Sequence, residues 1–414
     1  MIEHPLPQRD FDPSVTGPLT GIRVLDLGRL VAGGHCSVVL GDLGADIIKV
    51  ERPGGGDELR GNTTDGIDAY FRVYGRNKRS IVIDLSVGDG RDLLLKMAED
   101  CDVLIENFRP GTLEKLGLAP KTLLKHNANL VIVRISGWGQ TGPYSHRPGF
   151  GTLGEAVSGF MLRNGEADRP PVAAPTALAD MIAGLYASNA ALAAVLNVRA
   201  GGKGQVVDVS LFEPLFSMMG PDALLDQLGS LPVRGEGTRA SSIKGTFHCA
   251  DSKWVAISAG TETTVERLLC AINRPDLLSD PRFAGHRSRL DHRKEMNAII
   301  QEWLGSRTRD SALEELHQKG VTIAPLYDMP DILRDEHFRA RDVVVEVPNR
   351  GETLRSIRMH NIVPKMSGTP SGFRYAAPRL GEHTTEILKD FGFSEERIRT
   401  LLSGHVIEME NTNE

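Results

Sequence analysis

Ile22-Arg23-Val24-Leu25-Asp26-Leu27 and Ala45-Asp46-Ile47-Ile48-Lys49-Val50-Glu51 are two short, mostly apolar runs, with a helical stretch expected at 38–43 between them. The alternation continues. Ser80-Ile81-Val82-Ile83-Asp84 precedes a helix over 90–99. Val103-Leu104-Ile105-Glu106 and Leu130-Val131-Ile132-Val133-Arg134-Ile135 flank a helical stretch at 120–126. Strands alternating with helices specify a parallel sheet covered on both faces, an α/β fold. Ligands of such sheets bind beyond the C-terminal strand ends. A long apolar helix over 180–198, a glycine-rich turn at 201–205 and the strand Val206-Val207-Asp208-Val209-Ser210-Leu211 extend the series. After about 225 the pattern changes. Two strands near 245–257, followed by three helices at 263–272, 293–304 and 310–319, read as a second, smaller α+β domain. Strands resume over 343–364, and a final helix covers 385–391.

With 414 residues the chain is long enough for two domains and a large core. Its net charge of −6 favours neither nucleic acid nor an anionic membrane, so an anionic ligand must be met by a local basic cluster. Cys36, Cys101, Cys249 and Cys270 form no CxxC and no metal-ligand spacing. They fit reduced thiols in a cytoplasmic protein without a metal. The first seven residues lack a basic-then-apolar signal pattern. The helix over 180–198 approaches spanning length, but its Ala, Ser and Asn content reads as core rather than membrane.

Asp180 stands where the loop Pro170-Pro171-Val172-Ala173-Ala174-Pro175 becomes that helix. A helix apolar on nearly all faces is normally a core helix, so an acid at its start lies at the edge of the core. The helix N-terminus favours the ionised form there. An ionised, partly desolvated carboxylate can attack an activated acyl group. An Asp at that place also serves as an ordinary N-cap, and residue type alone leaves both readings open.

Gly28-Arg29-Leu30-Val31-Ala32-Gly33-Gly34 resembles a dinucleotide loop but fails the GxGxxG spacing, which argues against NAD or FAD. Lys49, Arg52, Arg76, Lys78 and Arg79, with the turn Asn107-Phe108-Arg109-Pro110-Gly111, suit a nucleotide phosphate and its base; taken alone they equally suit solvated surface charge. Gly137-Trp138-Gly139-Gln140-Thr141-Gly142 allows close backbone approach to a ligand, or is a structural turn. His35, His146 and His383 pair with no nucleophile motif.

Taken together these stretches, with Asn77-Lys78-Arg79-Ser80-Ile81 and Leu380-Gly381-Glu382-His383-Thr384, resemble the family III coenzyme A transferases of the carnitine-dehydratase/bile-acid-inducible type, over essentially the whole chain. The resemblance implies a Rossmann-like large domain built from both chain ends, 1–225 and 331–414, with a small α+β domain at 226–330. It implies an interlocked homodimer and no permanently bound cofactor, coenzyme A thioester being the substrate. Asp180 falls at the family's catalytic aspartate. Arg52, Ile83, Asn107, Phe108 and Lys115 fall at coenzyme A-binding positions. Gly33, Gly34, Gly137, Gly139 and Phe150 lie on loops expected to supply oxyanion donors or line the substrate.

The implied chemistry moves coenzyme A from an acyl-CoA donor to a carboxylic acid through an aspartyl anhydride and an aspartyl–CoA thioester. The rival within the family is an α-methylacyl-CoA racemase, which needs an acid/base pair. That pair would fall at Phe150-Gly151, and neither residue carries a proton. An intramolecular coenzyme A transfer needs only the aspartate and is not excluded by this difference. Val31 stands where the formyl-CoA/oxalate branch has glutamine, and 236–246 holds no glycine run. Gly149-Phe150-Gly151-Thr152-Leu153-Gly154-Glu155-Ala156 is closer to the branch that uses succinyl-CoA with C4–C6 dicarboxylates, for which Arg147, Arg163 and Arg169 are candidate partners of a distal carboxylate.

Overall fold

The computed structural model describes residues 5–236, 241–350 and 354–410. Six strands run parallel: β1 (Arg23–Asp26), β2 (Asp46–Glu51), β3 (Lys78–Ile83), β4 (Val103–Glu106), β5 (Val131–Ser136) and β6 (Val206–Ser210). Their spatial order is β3-β2-β1-β4-β5-β6. The order reverses between β1 and β4, the switch point of a doubly wound sheet.

Side chains alternate across this sheet, as the strand period requires. Val24, Ile47, Val103, Val133 and Ile135 face one side, where the helices Leu30–Asp42 and Leu178–Arg199 cover them. Leu25, Ile48, Ile81, Leu104 and Ile132 face the other, under the helices Gly88–Ala98, Pro120–His126, Thr384–Asp390 and Glu395–Ser403. The strands are apolar on both faces because both faces are buried.

Two expectations need correction here. The first helix begins at Leu30, not near 38. The glycine pair that reads as loop is packed inside it, because Gly33 presses on the preceding turn. A Cβ at Gly33 would lie 2.8 Å from the Gly28 Cα, so backbone contact outweighs the helix penalty of glycine. The second concerns the helix Leu178–Arg199, which is not buried all round. Ala183, Gly184, Ala187, Ala191 and Ala194 are buried, while Leu185, Tyr186 and Leu196 on the opposite side are exposed.

The chain divides into two compact units. The larger holds Pro5–Leu162, Val172–Pro221 and the segment from Arg341 onward; the smaller holds Arg163–Pro171 and Asp222–Ala340. The sequence reading, with its boundary at 226–330, missed the excursion at 163–171. The smaller unit carries an antiparallel sheet of β7 (Ile243–His248), β8 (Trp254–Ala259) and β9 (Ile323–Pro325). Phe247, Val255 and Ile257 pack with Leu268, Met296, Ile300 and Leu316 from its helices. In the larger unit β10 (Val344–Pro348) and β11 (Ser356–His360) form a hairpin. A short β12 (Ile407–Glu408), absent from the sequence reading, adds antiparallel to β3.

The helices Leu30–Asp42 and Leu178–Arg199 meet through Gly184, where a Cβ would lie 2.8 Å from the Ala32 carbonyl oxygen and 3.1 Å from the Cys36 amide. Backbone on both sides leaves little room to yield. Gly184→Val should destabilise the protein by about 2 kcal/mol through overpacking, read as a lower denaturant midpoint. An unchanged midpoint would show that this contact does not set the helix spacing.

Candidate active site

Beyond the C-terminal ends of β1 to β4 lies a cavity of about 220 Å³. Gly28, Arg29, Arg52, Ile83 and Phe108 are among the residues that line it. It therefore straddles the switch point, where a parallel sheet opens a crevice.

The turn at the crevice, Gly28-Arg29-Leu30, is held at its backbone by side chains. Asp26 Oδ1 accepts the Gly28 N–H at 2.8 Å, and Lys49 Nζ donates to the Gly28 carbonyl at 2.8 Å. Asn107 takes both polar groups of Arg29, accepting its N–H at 2.8 Å and donating to its carbonyl at 2.6 Å. Asp57 accepts the Leu30 N–H at 3.1 Å. Leu30 has φ 58°, a left-handed backbone that costs a branched residue about 1–3 kcal/mol and persists only where its surroundings over-determine it. These bonds do that.

Behind the turn sits a buried ionic network. Lys49 pairs with Asp57 at 2.8 Å, and Lys78 reaches Asp26 at 3.1 Å and Ser37 Oγ at 2.6 Å. Glu51 receives Arg60 and the Ser80 hydroxyl. The sequence reading offered Lys49, Arg76, Lys78 and Arg79 as phosphate ligands or solvated charge. They are neither: all four are buried, and Arg76 and Arg79 are ion-paired to Asp42 and Asp46. Lys49 and Lys78 sit within strands of a sheet buried on both faces, and that position was the signal of buried pairing.

Asp180 lies in the first turn of the helix Leu178–Arg199, and its N-cap is Ala177. It is thus inside the helix, not its cap. Both this helix and Leu30–Asp42 start at the C-terminal edge of the parallel sheet and pack together on one face, so Asp180 shares that edge with the crevice. Its carboxylate lies against Gly151, the first residue of the helix Gly151–Val157. A Cβ on Gly151 would overlap Asp180 Oδ2 and come within 2.9 Å of Cγ. Gly151 is placed by another backbone contact, because a Cβ on Gly137 would lie 2.7 Å from the Gly149 Cα. The Trp138 indole N–H holds the Pro148 carbonyl at 3.0 Å beside it.

Burial pushes the Asp180 carboxyl up to about 6; its own N–H lowers it and the nearby Glu155 raises it further. The helix N-terminus, expected to favour the ionised form, is outweighed by desolvation, which is the larger effect.

The other sequence-derived residues fall as follows. Arg52 lines the cavity and meets Glu58 at 3.3 Å. Ile83 is buried at the end of β3, and Phe108 packs half-buried on the core. Asn107 clamps Arg29, and Lys115 is exposed on the short helix Thr112–Lys115 without lining the cavity. Gly33 and Gly34 are helical, so their N–H groups belong to the ladder with Arg29 and Leu30, which removes them as loop donors. Gly139 has φ 84°, a turn glycine whose neighbour Gln140 donates its N–H to Asp208. Phe150 is the N-cap of the Gly151 helix and is 61% exposed. Arg163 is committed to Asp222 at 3.0 Å, whereas the Arg147 guanidinium lies 3.7 Å over the Tyr144 ring. Gly151 and Glu155 did not emerge from the sequence as site residues in their own right. The legible signal was the position of Gly151 where the racemase branch carries an acid.

An acid held at about 6 keeps its proton longer folded than unfolded, so stability falls as pH rises from about 4 through 6. At neutral pH the ionised Asp180 costs the fold about 3 kcal/mol. Asp180→Asn should therefore melt several degrees above the wild type at pH 7.5, with the gap closing at pH 4. Equal melting temperatures at both values would contradict a desolvated carboxylate.

The sequence profile of CoA-transferase family III matches residues 19–384. The chain is 39% identical over 406 residues to the succinyl-CoA–L-malate CoA-transferase beta subunit of Chloroflexus aurantiacus, covering 95% of this chain and 99% of that one. It is 37% identical over 398 residues to the succinyl-CoA–D-citramalate CoA-transferase of the same organism, covering 94% and 98%. The crystal structure of a CAIB/BAIF family protein from Brucella suis aligns with TM-score 0.78 and 31% identity over 91% of this chain and all of that one. With the match running through the sheet, the crevice and the Asp180 turn, the chain belongs to CoA-transferase family III.

Proposed function

We propose that the protein transfers coenzyme A from succinyl-CoA to a second C4–C6 dicarboxylic acid, with Asp180 as the group that is acylated. The observation that carries this reading is the half-buried, desolvated Asp180 carboxylate at the C-terminal edge of the sheet, raised to about 6. Such a group is mostly ionised at neutral pH and more basic than an exposed carboxylate, both of which favour attack on a thioester. The relatives named above are succinyl-CoA-dependent transferases of dicarboxylates, and the donor and acceptor classes are taken from them.

Asp180 attacks the succinyl thioester carbonyl, giving a mixed anhydride and coenzyme A thiolate. The thiolate attacks the aspartyl carbonyl, releasing succinate and leaving an aspartyl–CoA thioester. The acceptor carboxylate attacks that thioester and expels the thiolate. The thiolate then attacks the acceptor's acyl carbon and regenerates Asp180. Coenzyme A occupies the switch-point crevice, with Arg52 toward phosphate, Ile83 and Phe108 as apolar wall, and Asn107 acting through the backbone of Arg29; Lys115, whose chain neighbour Leu116 lines the cavity, is the further coenzyme A contact. Gly137 and Gly139 shape the loop that brings Phe150 to the nucleophile, where its exposed ring helps exclude water from the anhydride. Arg147 meets the distal carboxylate of the acid.

The racemase alternative gains no support. A side chain at 151 would displace the Asp180 carboxylate, so the second acid of that reaction has no place beside it. The exposed Leu185, Tyr186 and Leu196 on the Asp180 helix, together with Phe216 and Met218, form an apolar surface suited to a second copy, consistent with an interlocked homodimer in the cytoplasm.

Incubation with succinyl-CoA and hydroxylamine should leave a hydroxamate on the peptide containing Asp180. Asp180→Asn should lose both the adduct and turnover by at least about 10³-fold, the scale for removing a covalent nucleophile. A hydroxamate elsewhere, or an active Asp180→Asn enzyme, would overturn the assignment.

A further inference from the structure

One buried acid takes no part in this chemistry. Glu155 is 3% exposed on the helix Gly151–Val157. Among the described residues no Lys, Arg or His side chain pairs with it within ion-pair distance. A buried carboxylate without a counter-cation is expensive, and such groups concentrate at functional sites. Its place is specific. Glu155 is four residues after Gly151, so both lie on one face of the helix, and Gly151 is where the Asp180 carboxylate rests. Glu155 Oε2 also accepts the Ala174 N–H at 3.2 Å, in the loop that runs into the Asp180 helix.

We propose that Glu155 is a positioning residue for Asp180: it ties down the loop that delivers the nucleophile and presents a second negative charge to it. The inference rests on Asp180 being the nucleophile, and it adds a residue to that site. Two carboxylates therefore share one side of the Gly151 helix, one reacting and one bracing. The upward push that Glu155 exerts on Asp180 fits this arrangement. Three other elements packed on the Asp180 helix bring titratable groups. The helix Leu30–Asp42 brings His35, whose ring meets the Met181 carbonyl at 2.9 Å and whose proton affinity burial lowers. The helix Ala69–Tyr74 brings the Tyr74 hydroxyl, and the helix Glu213–Met218 brings Glu213, occupied by the Ser210 hydroxyl at 2.6 Å. β5 and β6 present Ile135 and Val209 there, with Arg134 and Asp208 on the opposite side of the sheet.

The two roles separate in two variants of the full-length enzyme. Glu155→Gln keeps the hydrogen-bond acceptor and removes the charge; Glu155→Asp keeps the charge and shortens the reach. With succinyl-CoA and a dicarboxylate acceptor, Glu155→Gln should move the acid limb of the kcat/KM profile about one pH unit lower, with KM for succinyl-CoA within twofold of wild type. Glu155→Asp should leave the limb in place and lower kcat about tenfold. An unmoved limb in Glu155→Gln, together with unchanged kcat in Glu155→Asp, would overturn the proposal, as would losses that only track a lower melting temperature. Asp180→Asn run alongside separates the two claims. If it is inactive while both Glu155 variants behave as wild type, only the positioning role fails; if it is active, the nucleophile assignment fails.

Discussion

The missing Cβ at Gly151 is the constraint on which the site depends. The Asp180 carboxylate occupies the volume that any side chain there would fill. That position is reached through two more backbone approaches. Gly137 against Gly149 sets the start of the Gly151 helix, and Gly184 against Ala32 sets the Asp180 helix on the sheet. The nucleophilic role proposed for Asp180 needs placement to within a fraction of an ångström, and backbone packed on backbone supplies it with less slack than side-chain contacts would. The same closeness excludes solvent, and exclusion of solvent raises the acid.

The second fixed feature is the turn at the switch point. Four side chains from four parts of the chain, Asp26, Lys49, Asp57 and Asn107, hold the backbone of Gly28-Arg29-Leu30 in a conformation that Leu30 would not adopt unaided. The buried lysines neutralise the acids that do this, so the cation-rich strand ends serve the shape of the crevice rather than binding phosphate directly. Removing one partner of such a pair leaves an uncompensated buried charge, typically about 3–5 kcal/mol. The network is therefore tightly committed to one geometry.

Much of the fold was legible because its signals are local. Apolar runs of strand length separated by helical stretches announce a parallel sheet, and β1 to β6 lie where those runs are. The start of the Leu30–Asp42 helix was hidden because two glycines read as loop, while the close approach of Gly33 to Gly28 that favours glycine there is visible only in the folded turn. β12 is two residues long and exists only by pairing with β3. At the site, the place of Asp180 was legible from the apolar helix that follows it. Its acidity was not, since the helix N-terminus and desolvation act in opposite directions and only the packed structure says which is larger. Lys49 and Lys78 show the same limit: their position within strands of a doubly covered sheet marks them as buried, but which acids they meet, Asp57 and Asp26, is set by the packed structure.

The central claim is that an oxygen of Asp180 is exchanged in every cycle. In the mechanism above, the acceptor carboxylate attacks the aspartyl carbonyl and leaves one of its oxygens on Asp180 when its acyl group departs to coenzyme A. Single turnover of the aspartyl–CoA enzyme with an acceptor labelled with ¹⁸O in its carboxylates, followed by peptide mass spectrometry, tests this directly. The account predicts one ¹⁸O on the peptide containing Asp180 for each acyl-CoA formed. Product formed with no label on that peptide would contradict it.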